Sequence, residues 1–145
     1  MTPPARRCAL ILEPSLMRRQ ALKRLLRRHG FDTILEADSA HDALVLMRGQ
    51  PVHLVLTPWA PPGLTGVPLL QALRQRPRDR PGPGGAPAIV LLDDGLAQPH
   101  VVAAVKAGIA GRLSLPAREA EFERILAALA EPGRPSSTRS PPRQA

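Results

Sequence analysis

Short apolar runs alternate with segments of helical periodicity along this chain. Runs rich in Leu, Val and Ile predict buried strands over 8–12, 33–37, 53–57, 88–92 and 112–115. The segments between them predict helices that begin near Leu16, Ala40, Val67 and Pro99, with a last helix around Phe122. Strands that alternate with helices pair in parallel and need cover on both faces. We therefore predict an α/β domain with a doubly wound, five-stranded parallel sheet and five helices.

The first predicted helix has an apolar side and a basic side. The apolar side consists of Met17, Ala21, Leu22, Leu25 and Leu26. The basic side consists of Arg19, Lys23, Arg24 and Arg27. Of the formal charge of +8, residues 1–30 supply +7, because they hold eight Arg or Lys against one acid. The basic side is either a solvated helix face or a binding site for nucleic acid, a cyclic dinucleotide or an acidic protein, and few aromatics are available for base stacking.

Length and composition favour one globular domain. With 145 residues, 43% of them hydrophobic, the chain can bury a core. No apolar run approaches the roughly 20 residues of a membrane span, and a single cysteine, Cys8, fits a reducing cytoplasm. We predict a cytoplasmic protein with an N-terminal extension over 1–7, a domain over 8–130 and a disordered tail over 131–145. A Pro- and Gly-rich segment over 76–87 predicts a mobile loop.

Several motifs along the chain carry a family resemblance. Segments 17–19 and 25–31 belong to a first strand–helix unit, near the start and at the end of its helix, and segment 36–44 belongs to a second unit. Trp59, Pro62 and Gly66 lie in the loop after the third strand, 107–111 reads Ala-Gly-Ile-Ala-Gly, and Pro116 follows the fifth strand. On these motifs, residues 7–130 resemble a response-regulator receiver domain of the CheY-like type. The resemblance implies a flavodoxin-like fold.

The chemistry of that family depends on five positions at the strand ends. Two acids hold Mg²⁺, an aspartate accepts a phosphoryl group, and a hydroxyl residue and a lysine respond to the new charge. By the resemblance, Leu12 and Glu13 occupy the two acid positions, and Pro58 occupies the position of the phosphoacceptor. Asp93 occupies the position of the hydroxyl residue and Leu115 that of the lysine. Proline has no nucleophile, leucine supplies no oxygen ligand, and segment 51–66 contains no acid. We therefore expect a pseudo-receiver that is not an enzyme and has no catalytic residue, metal site or cofactor.

The acids at the predicted sheet edge have a second interpretation. Glu13, Asp93 and Asp94 fall near one another and could bind a metal, with Arg18 as a counter-charge. We interpret them instead as solvated residues at the ends of loops.

The histidines and the tryptophan give no strong signal of chemistry. The histidines show no ligand spacing and no nucleophile partner, and we expect His53 to be half-buried in the third strand. Trp59 is the only indole. It either anchors a partner or packs over Pro61 and Pro62.

The expected function is that of a stand-alone, phosphorylation-independent interaction module in bacterial two-component or chemotaxis-type signalling. Its partner would be a signalling protein such as a histidine kinase, a motor component or a regulator, with no membrane insertion. By the resemblance, the contact face comprises the fourth helix, the fifth strand and the fifth helix, and Arg112 replaces an aromatic residue that couples this face to the phosphorylation site. The expected contact residues are Val101, Val105, Lys106, Arg112, Leu113 and Phe122. The alternative is an anion-binding adaptor that uses the basic first helix.

Overall fold

Strands and helices alternate along the folded chain. The computed structural model describes residues 7–75 and 86–130. Its strands are β1 (Cys8–Leu12), β2 (Thr33–Ala37), β3 (Leu54–Pro58), β4 (Ala88–Asp93) and β5 (Gly111–Ser114). Its helices are α1 (Leu16–Arg28), α2 (Ala40–Gly49), α3 (Gly66–Arg74), α4 (Gln98–Lys106) and α5 (Glu119–Ala130). The predicted tail, most of the predicted loop and all of the predicted extension except Arg7 lie outside the described residues.

The strands form one parallel sheet in the order β2-β1-β3-β4-β5, which confirms the predicted fold class. Alternate residues of β1 enter two separate core clusters. Leu10 and Leu12 pack with residues of α2, α3 and α4, whereas Ala9 and Ile11 pack with residues of α1 and α5. Helices therefore cover both faces of the sheet, which explains why β1 is apolar throughout. Within the described segments, no helix is both long enough and apolar enough to cross a bilayer.

The first two helices begin and end at the residues that the sequence signals indicate. The hydroxyl of Ser15 accepts the N–H of Arg18 at 3.3 Å, and the hydroxyl of Ser39 accepts the N–H of Asp42 at 3.2 Å. Each serine thus pairs an amide that has no partner inside the first helical turn. After α1, Gly30 adopts a φ of 92°, a left-handed conformation that ends the helix.

The buried side of α1 is narrower than predicted. Leu22, Leu25 and Leu26 are buried, but Met17 is 83% exposed and Ala21 is also exposed, so the prediction was wrong for these two. At about 100° per residue, Met17 lies about 140° around the helix from Leu22, and Ala21 lies about 100° from it. Met17 therefore faces away from the sheet, and Ala21 lies at the margin of the buried side.

Three strands, β3, β4 and β5, differ from their predicted bounds by one residue. His53 precedes β3 and is exposed, so the prediction of a half-buried strand residue was wrong. Its Nδ1 accepts the N–H of Cys8 at 3.0 Å and so ties the start of β1 to the loop before β3. Leu115 follows β5, where it is half-buried and its N–H donates to the carbonyl of Asp93 at 2.9 Å.

Candidate functional site

The carboxyl ends of the parallel strands meet at one edge of the sheet. β1 ends at Leu12, β3 at Pro58 and β4 at Asp93. Strand pairing places Pro58 beside Leu92, and Asp93 beside Ser114 of β5. The strand order changes direction between β1 and β3, and doubly wound folds bind their ligands at this kind of switch point. This edge is therefore the candidate site, and it contains the residues that the sequence predicts there.

Glu13 follows β1 and is buried, with an exposure of 3%. Its Oε2 accepts the N–H of Ser15 at 2.9 Å, and its own N–H donates to the carbonyl of Ala37 at 2.9 Å. Oε1 is buried and has no hydrogen-bond partner within residues 7–75 and 86–130. The prediction of a solvated Glu13 was wrong because the turn into α1 folds the carboxylate back onto the backbone.

Asp93 closes the turn that follows β4. Its Oδ1 accepts the N–H groups of Gly95 and Leu96 at 3.0 and 2.8 Å. Its Oδ2 lies 3.3 Å from Nε of Arg112 in β5, and only 15% of the Asp93 side chain is exposed. Both carboxylate oxygens are therefore occupied by protein donors. This ion pair also positions the side chain of Arg112, which is expected to replace the aromatic residue that couples the contact face to the phosphorylation site in the family.

Asp94 is exposed and forms an ion pair with Arg18 at the start of α1, which confirms the expected counter-charge. About half of each side chain is exposed, so solvent screens the pair and its stabilising effect is small. Glu13, Asp93 and Asp94 thus share no bonding partner. Their arrangement is that of separate turns and ion pairs, rather than three ligands directed at a common point.

The loop after β3 packs its tryptophan against α4. The Trp59 ring stacks on the ring of His100, with centroids 5.0 Å apart and planes 18° from parallel. Gly66, with a φ of 68°, lies against the indole, and a Cβ at this position would come within 3.3 Å of Cζ2 of Trp59. The indole is half-buried. The indole therefore packs against His100 and Gly66, and neither contact was predicted from the sequence.

The basic side of α1 contains both paired and exposed cations. Lys23 Nζ and Arg19 Nε lie 2.9 and 3.1 Å from the two carboxylate oxygens of Glu36 in β2. The pKa of Glu36 is lowered, mainly by the hydrogen bond from Lys23. Burial acts to raise this pKa, and the hydrogen bond from Arg19 acts to lower it further. Arg24 and Arg27 are exposed. Two of the four cations predicted to bind an anion are therefore engaged within the protein.

The predicted contact face is only partly at the surface. Val105 is 40% exposed, and Lys106 and Arg112 are exposed. Three of the predicted contact residues are buried, at 7%, 0% and 0% exposure respectively: Val101, Leu113 and Phe122. Their prediction as contact residues was wrong because these side chains are buried in the interior of the domain.

Val102 was not predicted to belong to this face. Val102 is 43% exposed and lies one helical turn before Val105, on the side of α4 opposite the buried Val101 and Ala104. The helical spacing of these two exposed and two buried residues is the sequence signal that could have identified Val102. We define the α4–β5 face as Val102, Val105, Lys106 and Arg112.

The strand order 2-1-3-4-5, with polar groups at the carboxyl edge, is one of the two common doubly wound arrangements and is the order found in CheY. The family model for the response regulator receiver domain matches residues 9–127. The chain therefore belongs to the response regulator receiver domain family, the receiver domains of two-component signalling.

Relatives and solved structures agree with this assignment. The chain is 29% identical over 107 residues to the chemotaxis protein CheY of Pseudomonas aeruginosa, which covers 74% of this chain and 82% of that protein. It is 35% identical over 65 residues to CheY-3 of Vibrio cholerae, 45% of this chain and 50% of that protein. The receiver domain of an HD domain-containing protein from Pseudomonas fluorescens has a similar fold, with a TM-score of 0.72, 24% identity and 88% of each chain covered. A CheY-like receiver domain from Methylobacillus flagellatus gives a TM-score of 0.68 and 23% identity, with 86% and 99% covered.

Proposed function

We propose that this chain is a degenerate receiver that accepts no phosphoryl group and acts as a phosphorylation-independent protein-interaction module in two-component or chemotaxis-type signalling. The observation that carries the proposal is Pro58 at the last position of β3. By the family's pattern, this position holds the aspartate that accepts the phosphoryl group. A proline side chain has no atom that can attack phosphorus.

The residues around Pro58 support the same proposal. Leu12 is fully buried in the core cluster on the side of α2 and α3. Leu115 is half-buried and packs against the cluster on the side of α1 and α5. Magnesium ions bind to oxygen ligands, and neither leucine supplies one. Glu13 is the remaining acid of the family's metal-binding pair, and one of its oxygens is bonded to the backbone of Ser15.

The α4–β5 face is the surface that we propose for docking. It presents two exposed valines one helical turn apart on α4, together with the exposed cations of Lys106 on the same helix and Arg112 on β5. Apolar side chains bordered by charges are common at protein contacts, where the apolar centre supplies affinity and the charges set specificity. The occupant would be a signalling protein with a small apolar contact and acidic side chains beside it. A kinase, a motor component or another regulator could meet this description.

The phosphorylation chemistry gives the direct test. After incubation with Mg²⁺ and a small phosphodonor, we expect the intact mass of the protein to be unchanged, because Pro58 cannot form an acyl phosphate. The Pro58→Asp variant is the matched comparison. It restores the carboxylate alone, and we expect little phosphorylation because Leu12 and Leu115 still provide neither the oxygen ligand nor the cation. A stoichiometric, base-labile adduct on the wild-type protein would refute the proposal.

A second candidate function is the binding of an anionic ligand to α1. One observation favours it: Arg24 and Arg27 are exposed one helical turn apart, whereas Arg19 and Lys23 are paired with Glu36. The candidate site is thus smaller than the sequence predicts. Phosphate contacts that depend on arginines weaken strongly with salt.

Titration with a cyclic dinucleotide and with duplex DNA at two salt concentrations separates the two functions. We expect no saturable binding to either ligand. The informative variant is Arg24→Glu with Arg27→Glu, and the control is Arg118→Glu with Arg124→Glu, which makes the same charge change elsewhere on the surface. Salt-sensitive binding that only the first variant loses would favour the anion-binding function over docking.

A further inference from the structure

A histidine and two glutamates from distant parts of the chain meet between the end of α1 and the start of α5. His29, Glu119 and Glu123 each offer one ligand atom, and these atoms all lie within 4.8 Å of one another. His29 Nε2 lies 3.0 Å from Oε2 of Glu119, a contact between residues 90 positions apart. Ligand spacing along the sequence could not reveal this cluster, because only the packing of α1 beside α5 forms it.

The structure holds the His29 imidazole in one place. Its main-chain N–H donates to the carbonyl of Leu26 at 3.0 Å, and its carbonyl accepts a hydrogen bond from Arg7 at 3.3 Å. The ring meets the buried Phe122 ring edge-on, with centroids 5.3 Å apart and planes at 78°. Only 15% of the side chain is exposed. A ligand fixed by packing loses little conformational freedom when it binds an ion.

The two carboxylates lie on one face of α5, because Glu119 and Glu123 are four residues apart. His29 Nε2 and Glu119 Oε2 are 3.0 Å apart, which is close to the separation of two ligands of one ion. Tetrahedral ligands, each about 2.1 Å from a zinc ion, are about 3.4 Å apart, so the two atoms have to separate only slightly. A rotation of the exposed Glu123 side chain completes a set of one nitrogen and two oxygen donors.

We propose that His29, Glu119 and Glu123 bind a divalent transition-metal ion such as Zn²⁺ and thereby link α1 to α5. An imidazole with carboxylates suits zinc, whereas magnesium and calcium prefer oxygen donors alone. The site uses none of the residues at the carboxyl edge of the sheet. It is therefore independent of the proposed loss of phosphorylation.

Arg28 competes with the ion for Glu119. Its Nε lies 3.3 Å from the same Oε2 that faces His29, and this pair lowers the pKa of Glu119. About half of each side chain is exposed, so solvent screens the pair and Arg28 can turn away at low cost. Metal binding replaces this ion pair, and the removal of Arg28 favours the metal.

Calorimetric titration of the tag-free protein with Zn²⁺, together with thermal melts, tests the site. We expect saturable one-to-one binding and a higher melting temperature with zinc, because an ion bound only by the folded state stabilises it. Glu123→Gln removes a carboxylate that forms no ion pair within the described segments. This variant should weaken zinc binding by about tenfold or more and should leave the zinc-free melting temperature unchanged.

Two further variants complete the test. Asp42→Asn removes an exposed acid from the first turn of α2 and should leave zinc binding unchanged. Arg28→Gln should tighten binding, because it frees Glu119 and removes a positive charge. Failure of the wild-type protein to bind zinc in a saturable way would overturn the proposal. Equal weakening by Glu123→Gln and Asp42→Asn would overturn it as well, since the binding would then be non-specific.

Discussion

Phe122→Ala is expected to lower the free energy of unfolding by about 3–5 kcal/mol. The Phe122 side chain is fully buried in α5 and packs in the cluster that contains Ile11 of β1, Leu22 of α1 and Leu113 of β5. Removal of the ring leaves a cavity between the two helices and the sheet, where rigid neighbours can collapse only in part. Urea unfolding followed by circular dichroism measures the change.

The control for this experiment lies on the same helix. Leu129 is 38% exposed near the end of α5, and Leu129→Ala should cost much less, because the side chain gives up little buried area. Equal costs for the two variants would contradict the position of Phe122 in the core. The result also determines how Phe122 variants can be used: a variant that unfolds the domain cannot report on a docking surface.

Gly108→Ala is expected to destabilise the domain for two separate reasons. Gly108 follows α4 with a φ of 96°, and a non-glycine residue in this left-handed conformation costs about 1–3 kcal/mol. In addition, a methyl group at this position would overlap the guanidinium of Arg74, so this flexible side chain would have to turn away. Arg74 donates to the carbonyl of Ala107 at 2.7 Å and so joins α3 to the end of α4. The methyl group would displace this contact.

Gly95→Ala separates the two contributions. Gly95 has a φ of 88°, but open space surrounds the position of its absent side chain. This variant should therefore show the backbone cost alone, and its loss of unfolding free energy should be smaller than that of Gly108→Ala. In an Arg74→Ala background, Gly108→Ala should cost less than in the wild type, because the colliding group is gone. Equal costs in the two backgrounds would rule out the collision.

The first strand could be predicted closely because a strand covered on both faces is apolar at every position. The bounds of β1 are those predicted, with a polar residue on either side of an apolar run. The bounds of β2 are also those predicted, although this edge strand contains Thr33 and Glu36. The burial of Phe122 was also present in the sequence, since its spacing with Ile125 and Leu126 gives α5 an apolar stripe. The family resemblance predicts which elements would form the proposed contact face but not which of their side chains point outward.

Apart from the ion pair of Arg18 with Asp94, the polar contacts at the candidate site and along α1 could not be predicted in the same way. Lys23 and Arg19 pair with Glu36, and Arg112 pairs with Asp93, across distances that only the folded sheet defines. A chain with 20 Lys or Arg residues offers many alternative partners for each acid. Pairing then depends on which cations face a neighbouring element, and sequence periodicity does not resolve this on a helix with so many arginines.

The stacking of Trp59 on His100 has a consequence for spectroscopy. The chain has one tryptophan and no tyrosine, so its tryptophan fluorescence comes from a single residue. This residue lies at the junction between the loop after β3 and the first turns of α4, the helix that presents Val102 and Val105. A movement of α4 relative to the loop changes the surroundings of the indole. The protein thus contains an intrinsic optical reporter of this junction, which needs no attached label.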